Sequence, residues 1–138
     1  MFSPRAEGSV SGTVSIVDSA SSKPQVIELT GAGTVVEFTP NALTFPAQKV
    51  GTASPPQSVT LTNKCTAAIN ITKMYVGGQD YRDFSETNTC PSSLNAGANC
   101  SIQVVFDPLK TRTRTAAAYV EDSGGGTTQY FTLTGPGD

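Results

Sequence analysis

The sequence has 138 residues, of which 14% are charged, and its formal net charge of −2 arises without a single histidine. This slightly negative net charge does not indicate the basic surface of a nucleic-acid-binding protein. No apolar run approaches the ~18 residues needed to cross a membrane. The composition is rich in Thr, Ser, Val, Gly and Pro, which favours short strands and turns. We therefore expect a modest all-β protein. Its first residues, MFSPRAEGS, lack the apolar segment of a signal peptide.

The first predicted element is a β-hairpin formed by residues 13–18 and 25–30, joined by a turn at Ser19–Pro24. Apolar and polar side chains alternate in both segments, which places one apolar stripe on a single face. The stripe comprises Val14, Ile16, Ile27 and Leu29. An isolated two-stranded hairpin is marginal in water, so we expect another surface to cover this stripe.

Alternating apolar residues recur along residues 34–138 at the spacing typical of a β-sandwich, and no long segment has helical periodicity. We predict about seven strands in an immunoglobulin-like antiparallel β-sandwich, with no long helix. The predicted core consists of the inward-facing residues of these strands. They are Phe38, Leu43, Phe45, Val59, Leu61, Ile69, Ile71, Ile102, Val104, Phe106, Val120, Phe131 and Leu133.

One segment, AINITKMYV, has two apolar faces. Strict alternation assigns Ile69, Ile71 and Tyr75 to one face, and Met74 and Val76 to the opposite face. We therefore expect Ile69 and Ile71 to point into the core, with Tyr75 on the same face of the strand.

The end of the sequence repeats its beginning. Phe2–Gly33 aligns with Phe106–Gly137 without a gap, at an offset of 104 residues, and IELTGAG corresponds to FTLTGPG, with Leu-Thr-Gly identical in both. Self-similarity at a fixed period is the mark of repeated structural units. We interpret residues 1–33 as the C-terminal hairpin of a preceding repeat and residues 34–138 as one complete domain.

The loop GGQDYRDF contains two carboxylates and two aromatic rings, so Asp80, Tyr81 and Asp83 are candidate interaction residues. Packing and turn formation are the simpler interpretation, and ligand contact is the alternative. Asp80 and Asp83 are too close along one short segment to face each other across a cleft, as glycosidase acids do. Calcium binding by these two residues and Glu86 lacks the spacing of an EF-hand. We expect no catalytic, metal-binding or cofactor-binding residue.

Three cysteines are present. Cys90 and Cys100 flank the polar loop PSSLNAGAN, and a disulfide closing this loop would contribute roughly 3 kcal/mol. A metal site and two free thiols are the alternatives, but zinc requires four ligands with closer spacing. Cys65 is then left over, as a half-buried thiol or a link between chains.

Four segments follow one another in the sequence: FTPNALTFPAQKVGTASPPQSVTLTN, INITKMYVGGQDYRDF, the segment NTC to NCSIQVVFDP, and LTGPG. Together they resemble the Hydin-like immunoglobulin-like domains, which are related to the abnormal-spindle and major-sperm-protein sandwiches. The version with paired cysteines is similar to tandem repeats of bacterial "choice-of-anchor" surface and secreted proteins. One departure is Asn63-Lys64-Cys65, where the family usually has Asn-x-Gly in a turn.

The resemblance implies an extracellular or cell-surface structural or protein-interaction module, without enzymatic activity. A carbohydrate- or ligand-binding module is the alternative, but the chain has no tryptophan and four tyrosines. The predicted partner is protein, either neighbouring repeats or other copies of the chain bound through residues 1–33, with Thr34 as a hinge. Docking of the hairpin on its own domain and disorder of the hairpin are the alternatives.

Overall fold

The computed structural model describes residues 8–17, 23–33, 35–124 and 128–138. Eleven strands lie in these ranges: β1 Gly8–Ile16, β2 Gln25–Gly33, β3 Val36–Thr39, β4 Ala42–Thr44, β5 Gln57–Asn63, β6 Ile69–Gly77, β7 Phe84–Asn88, β8 Ser93–Leu94, β9 Asn99–Phe106, β10 Arg112–Asp122 and β11 Gln129–Gly137. The predicted hinge at Thr34 and most of the predicted turn at Ser19–Pro24 lie outside the described residues.

Nine of the strands form an immunoglobulin-like β-sandwich. One sheet has five strands in the order β4-β11-β10-β6-β8, and the other has four in the order β3-β5-β9-β7. Neighbouring strands are antiparallel, except that β4 runs parallel to β11. The predicted fold class is confirmed. The sandwich has nine strands rather than the predicted seven or so. Pro40 separates β3 from β4, which belong to different sheets, and β8 is a further short strand of two residues.

The core lies between the two sheets. Eleven of the thirteen predicted core residues are buried, and Phe38 and Ile71 are half-buried against them. Val104 and Leu133 are fully buried, which confirms the predicted faces of their strands. Val35, Phe84 and Leu94 also belong to the core, although no period-two stripe marks them in the sequence.

The predicted faces of β6 are wrong beyond Thr72. Ile71 pairs with Asp122 and Lys73 pairs with Glu121, so Thr72 is an extra residue in β6. A β-bulge of this kind shifts the alternation by one residue. As a result Met74 and Val76, opposite the buried Val120 and Ala118, point towards the core, and Tyr75 points outwards.

Within the described residues, the one helical segment is a 3₁₀ turn at Tyr81–Asp83. No described helix has the length and apolar character required to span a membrane.

Candidate functional site: an uncovered hairpin face

The hairpin β1–β2 has the same pairing as the hairpin β10–β11. Nine residue pairs join β1 to β2, from Gly8↔Gly33 to Ile16↔Gln25, and adding 104 to each number gives the nine pairs of β10–β11, from Arg112↔Gly137 to Val120↔Gln129. The sequence repeat is therefore also a repeat of strand register.

The second hairpin begins at a strained backbone position. Arg112 has a φ of 106°, the only positive φ of a non-glycine residue in the described chain. Side chains with a Cβ rarely adopt this conformation, whereas glycine adopts it readily. The position equivalent to Arg112 in the first hairpin is Gly8.

The two hairpins differ in burial. Val14, Ile16, Ile27 and Leu29 are 43%, 45%, 51% and 52% exposed. Their equivalents at the offset of 104 residues are Ala118, Val120, Phe131 and Leu133, which are 3%, 1%, 1% and 1% exposed. Val14 and Ile27 are directly paired, so the stripe occupies one face of the two-stranded sheet. The first hairpin thus presents to solvent a face that is core in the second hairpin.

The other candidate residues lie in the loop between β6 and β7, where both carboxylates are buried. Arg114 of β10 lies between them: its Nη2 is 2.7 Å from Asp80 Oδ1, and its Nε donates a hydrogen bond to Asp83 Oδ2. This hydrogen bond raises the pKa of Arg114, and burial opposes it. Asp80 Oδ2 also accepts a hydrogen bond from the Thr115 backbone, and Asp83 Oδ2 accepts one from Leu109.

This cluster attaches the loop to β10 and occupies oxygens of both carboxylates. Tyr81 is the exposed member of the candidate set, and Arg82 Nε donates a hydrogen bond to its hydroxyl oxygen at 3.1 Å. The arrangement has the form of a structural ion cluster. Within the described ranges, no group of three or more His, Cys, Asp or Glu side chains is placed to hold a metal ion.

The disulfide predicted between Cys90 and Cys100 is present, with Cα atoms 4.9 Å apart. It ties the segment after β7 to the second residue of β9, and Cys100 is buried against the core. Structural disulfides are typical of proteins that fold in an oxidising compartment.

The unusual turn Asn63-Lys64-Cys65 is organised by the buried side chain of Asn63. Its Nδ2 donates hydrogen bonds to the carbonyls of Ala67, Leu94 and Asn95, and its Oδ1 accepts one from the Cys65 backbone. Cys65 does not adopt a positive φ, so the turn has no need of glycine. Sequence reasoning missed this role of Asn63, although asparagine at a strand end is a known turn signal. Partial burial, assisted by Asp122, raises the pKa of the free Cys65 thiol.

Three of the four tyrosines form a ladder on the outer face of the five-stranded sheet. The Tyr75 and Tyr119 rings stack with centroids 5.1 Å apart, and the Tyr119 and Tyr130 centroids are 5.5 Å apart. Lys73 Nζ lies 4.5 Å from the centroid of Tyr75. The stacked rings of Tyr75 and Tyr119 cover one face of each other, whereas Tyr130 remains 56% exposed. The contacts between the three rings are those of cross-strand packing.

Comparisons with known proteins support the fold. No family model matches the chain, and no curated protein matches it. The ASH / PapD-like domain 7 of human CEP192 is similar over 76% of this chain and 86% of that one, at 21% identity and a TM-score of 0.57. A protein of unknown function from Porphyromonas gingivalis W83 is similar over 94% of this chain and 66% of that one, at 8% identity and a TM-score of 0.56.

A third similar structure is the VesB protease of Vibrio cholerae, with 19% identity and a TM-score of 0.55. The similarity covers 74% of this chain but only 32% of the protease chain. At these identities the shared feature is the fold. The fold is an immunoglobulin-like β-sandwich similar to that of the PapD-like domain of CEP192, and here it is preceded by a separate hairpin.

Proposed function

We propose that the chain is a non-catalytic protein-interaction module of a tandem-repeat secreted or cell-surface protein, and that it binds other copies of itself through the hairpin β1–β2. The observation that carries the proposal is the uncovered apolar face of this hairpin, whose equivalents in β10–β11 are buried. A face with the pattern of a domain core favours burial against another surface.

The energy available from this face is substantial but not large. Fully burying a Val, Ile or Leu side chain contributes about 1.5–3 kcal/mol. The four stripe residues are about half-exposed, so docking can still gain about half of that energy from each of them. The face therefore offers about 3–6 kcal/mol, and the surface it contacts adds its own share. Since association costs about 4 kcal/mol or more, we expect weak, concentration-dependent assembly.

The tandem-repeat context is supported by the common register of the two hairpins. We infer that residues 1–33 end one repeat and that residues 34–138 form the next, as the resemblance to Hydin-like domains implies. Secretion or surface display is supported by the disulfide between Cys90 and Cys100. A non-catalytic role is supported by the absence of histidine from the sequence and by the ion cluster that engages Asp80 and Asp83.

Sedimentation velocity over a wide range of concentrations tests the proposal. The full chain is expected to increase in average mass with concentration, and a Val14→Asp/Ile27→Asp variant to remain monomeric. Ser15→Asp is the matched control, because Ser15 is the neighbour of Val14 on the opposite face of β1. A wild-type chain that is monomeric at every concentration, or a Ser15→Asp variant that loses assembly equally, would refute the proposed role of the stripe.

A further inference from the structure

The sandwich has a groove on one side, between β6 of one sheet and β7 of the other. Its volume is about 310 Å³, and it is lined by Lys73 and Met74 of β6, by Glu86 and Asn88 of β7, and by Pro91. Met74 and Val76 point towards the core yet are only half-buried, whereas Val120 and Ala118 opposite them are fully buried. The core is therefore incompletely covered at this groove.

The backbone of β6 is unpaired along the groove. The carbonyl of Thr115 in β10 accepts a hydrogen bond from Asp80, so the backbone of Thr115 points towards the β6 side. Because backbone direction alternates along a strand, Ala117 and Tyr119 point the same way and bond their partners Gly77 and Tyr75. The peptide groups of Met74 and Val76 must then point away from β10, into the groove.

The strand β8 does not reach these groups. It pairs with Ile69 and Asn70, and Ser92 accepts a hydrogen bond from Ile71. In the described part of the chain, the outward peptide groups of Met74 and Val76 thus have no backbone partner.

The strand β7 leaves a second open edge on the other wall of the groove. Asp83 O accepts a hydrogen bond from Asp107 N, and Thr89 N donates one to Ser101 O, so odd-numbered residues of this segment point towards β9. The backbones of Glu86 and Asn88 point the other way, and β7 pairs only with β9. Open edges of this kind are the sites at which proteins add a further strand.

The hairpin β1–β2 has complementary properties. It presents an apolar face and two outer strand edges, and neither strand pairs with the sandwich. We propose that the hairpin of one copy docks in the groove between β6 and β7 of a second copy, adds a strand to the β6 edge, and covers Met74 and Val76 with its apolar stripe. This inference rests on the proposed function and identifies the surface that accepts the hairpin.

In this chain the hairpin does not occupy its own groove. Neither β1 nor β2 pairs with the sandwich, and the stripe residues Val14, Ile16, Ile27 and Leu29 are about half-exposed. The groove of a second copy is therefore the partner proposed for the stripe.

Each copy would offer one hairpin and one groove. Reciprocal docking between two copies gives a closed dimer, whereas docking from one copy to the next generates open chains or rings. The average mass at high concentration distinguishes the two arrangements, because it levels off at twice the monomer mass for the dimer and continues to rise for open chains.

Amide hydrogen exchange on the full chain tests the docking site. The amides of Met74 and Val76 are expected to exchange about tenfold or more slowly at a concentration at which the wild type is assembled than in the monomeric Val14→Asp/Ile27→Asp variant. Tyr75 and Gly77 are internal controls, because their bonds to β10 protect them in both proteins. Assembly without slowing at Met74 and Val76 would overturn this inference and leave the proposed function intact. Absence of assembly would overturn both.

A substitution at the edge gives an independent measurement. Met74→Pro removes an N–H that β10 does not use, and proline is tolerated at such edge positions. It is expected to weaken assembly about tenfold, whereas the control Met74→Leu keeps the N–H and should assemble like the wild type. Equal assembly of folded Met74→Pro and Met74→Leu proteins would overturn the inference. If Met74→Pro does not fold, the exchange rates of the wild type decide it.

Discussion

The two hairpins of this chain have the same strand register and opposite surroundings. In β10–β11 the residues Phe131 and Leu133 are enclosed by the second sheet, whereas Ile27 and Leu29 at the equivalent positions in β2 are half-exposed. Local sequence is therefore sufficient to align two strands, but burial depends on the strands that pack above and beside them. A stripe that would be called core by its pattern becomes an interaction surface when those neighbours are missing.

The largest expected effect on stability separates two equivalent positions, Phe131 in β11 and Ile27 in β2, when each side chain is truncated to alanine. Phe131→Ala should destabilise the chain by about 3–5 kcal/mol, because it leaves a cavity in the core. Ile27→Ala should change the free energy of unfolding by less than about 0.5 kcal/mol in dilute solution, since Ile27 is half-exposed. Urea denaturation measures both values. Similar losses for the two variants would mean that the first hairpin is covered within its own chain.

The ion cluster distinguishes the hairpins further, because Val10 occupies the position equivalent to Arg114. Asp83→Ala would leave the guanidinium of Arg114 buried with one of its two carboxylates missing, so we expect a loss of about 3–5 kcal/mol. Glu37→Ala, which removes an exposed ion pair with Lys64, is the control and should cost less than about 1 kcal/mol. Urea denaturation measures both values. A loss of stability for Asp83→Ala as small as that of the control would mean that the ion cluster does not attach the loop between β6 and β7 to β10.

Substitution of Arg112 is expected to have a smaller effect on the free energy of unfolding, and to raise it rather than lower it. Replacing Arg112 by glycine, the residue at the equivalent position of β1, should stabilise the chain by about 1 kcal/mol, because it relieves the positive φ. The contact with Asp80 that is lost is 3.8 Å long and involves an exposed arginine side chain, so its contribution is minor. Thermal unfolding should show a higher midpoint. A lower midpoint would indicate that the Arg112–Asp80 contact outweighs the backbone strain.

The smallest expected effect concerns the thiol of Cys65, which lies close to where the sandwich begins, since Lys64 N donates a hydrogen bond to Val35 O. A raised pKa means less thiolate at neutral pH, so alkylation of Cys65 should be slower than that of an unfolded thiol and should accelerate as pH rises. The rate should not change on assembly if the hairpin docks between β6 and β7. A marked slowing at high concentration, measured by mass spectrometry, would place the contact at the Cys65 end instead.

Several parts of the structure were predictable from residue patterns. The stripe Ile102, Val104 and Phe106 identified β9 and its buried face, because period-two alternation is a direct consequence of strand geometry. The same reasoning failed in β6, because the bulge at Thr72 is set by pairing with β10 and has no local signature. It also missed Val35 and Phe84, whose burial depends on strands distant in sequence.

The candidate residues divide in the same way. The spacing of Cys90 and Cys100 and the polar loop between them favoured a disulfide, since the closing of a short loop is a local property. The burial and ion pairing of Asp80 and Asp83 could not be predicted locally, because their partner Arg114 is 31 residues from Asp83 in sequence. The pairing of Tyr75, Tyr119 and Tyr130 likewise required three strands to be aligned.

The sequence by itself determined the all-β class, the alternation of most strands and the 104-residue correspondence between the two hairpins, because these follow from backbone geometry and short-range pattern. Only the tertiary structure decided which apolar stripe is core and which is surface. Burial is a property of the assembled sheets: Phe131 is enclosed because the four-stranded sheet lies against it, and Ile27 is exposed because no sheet of the described chain covers it.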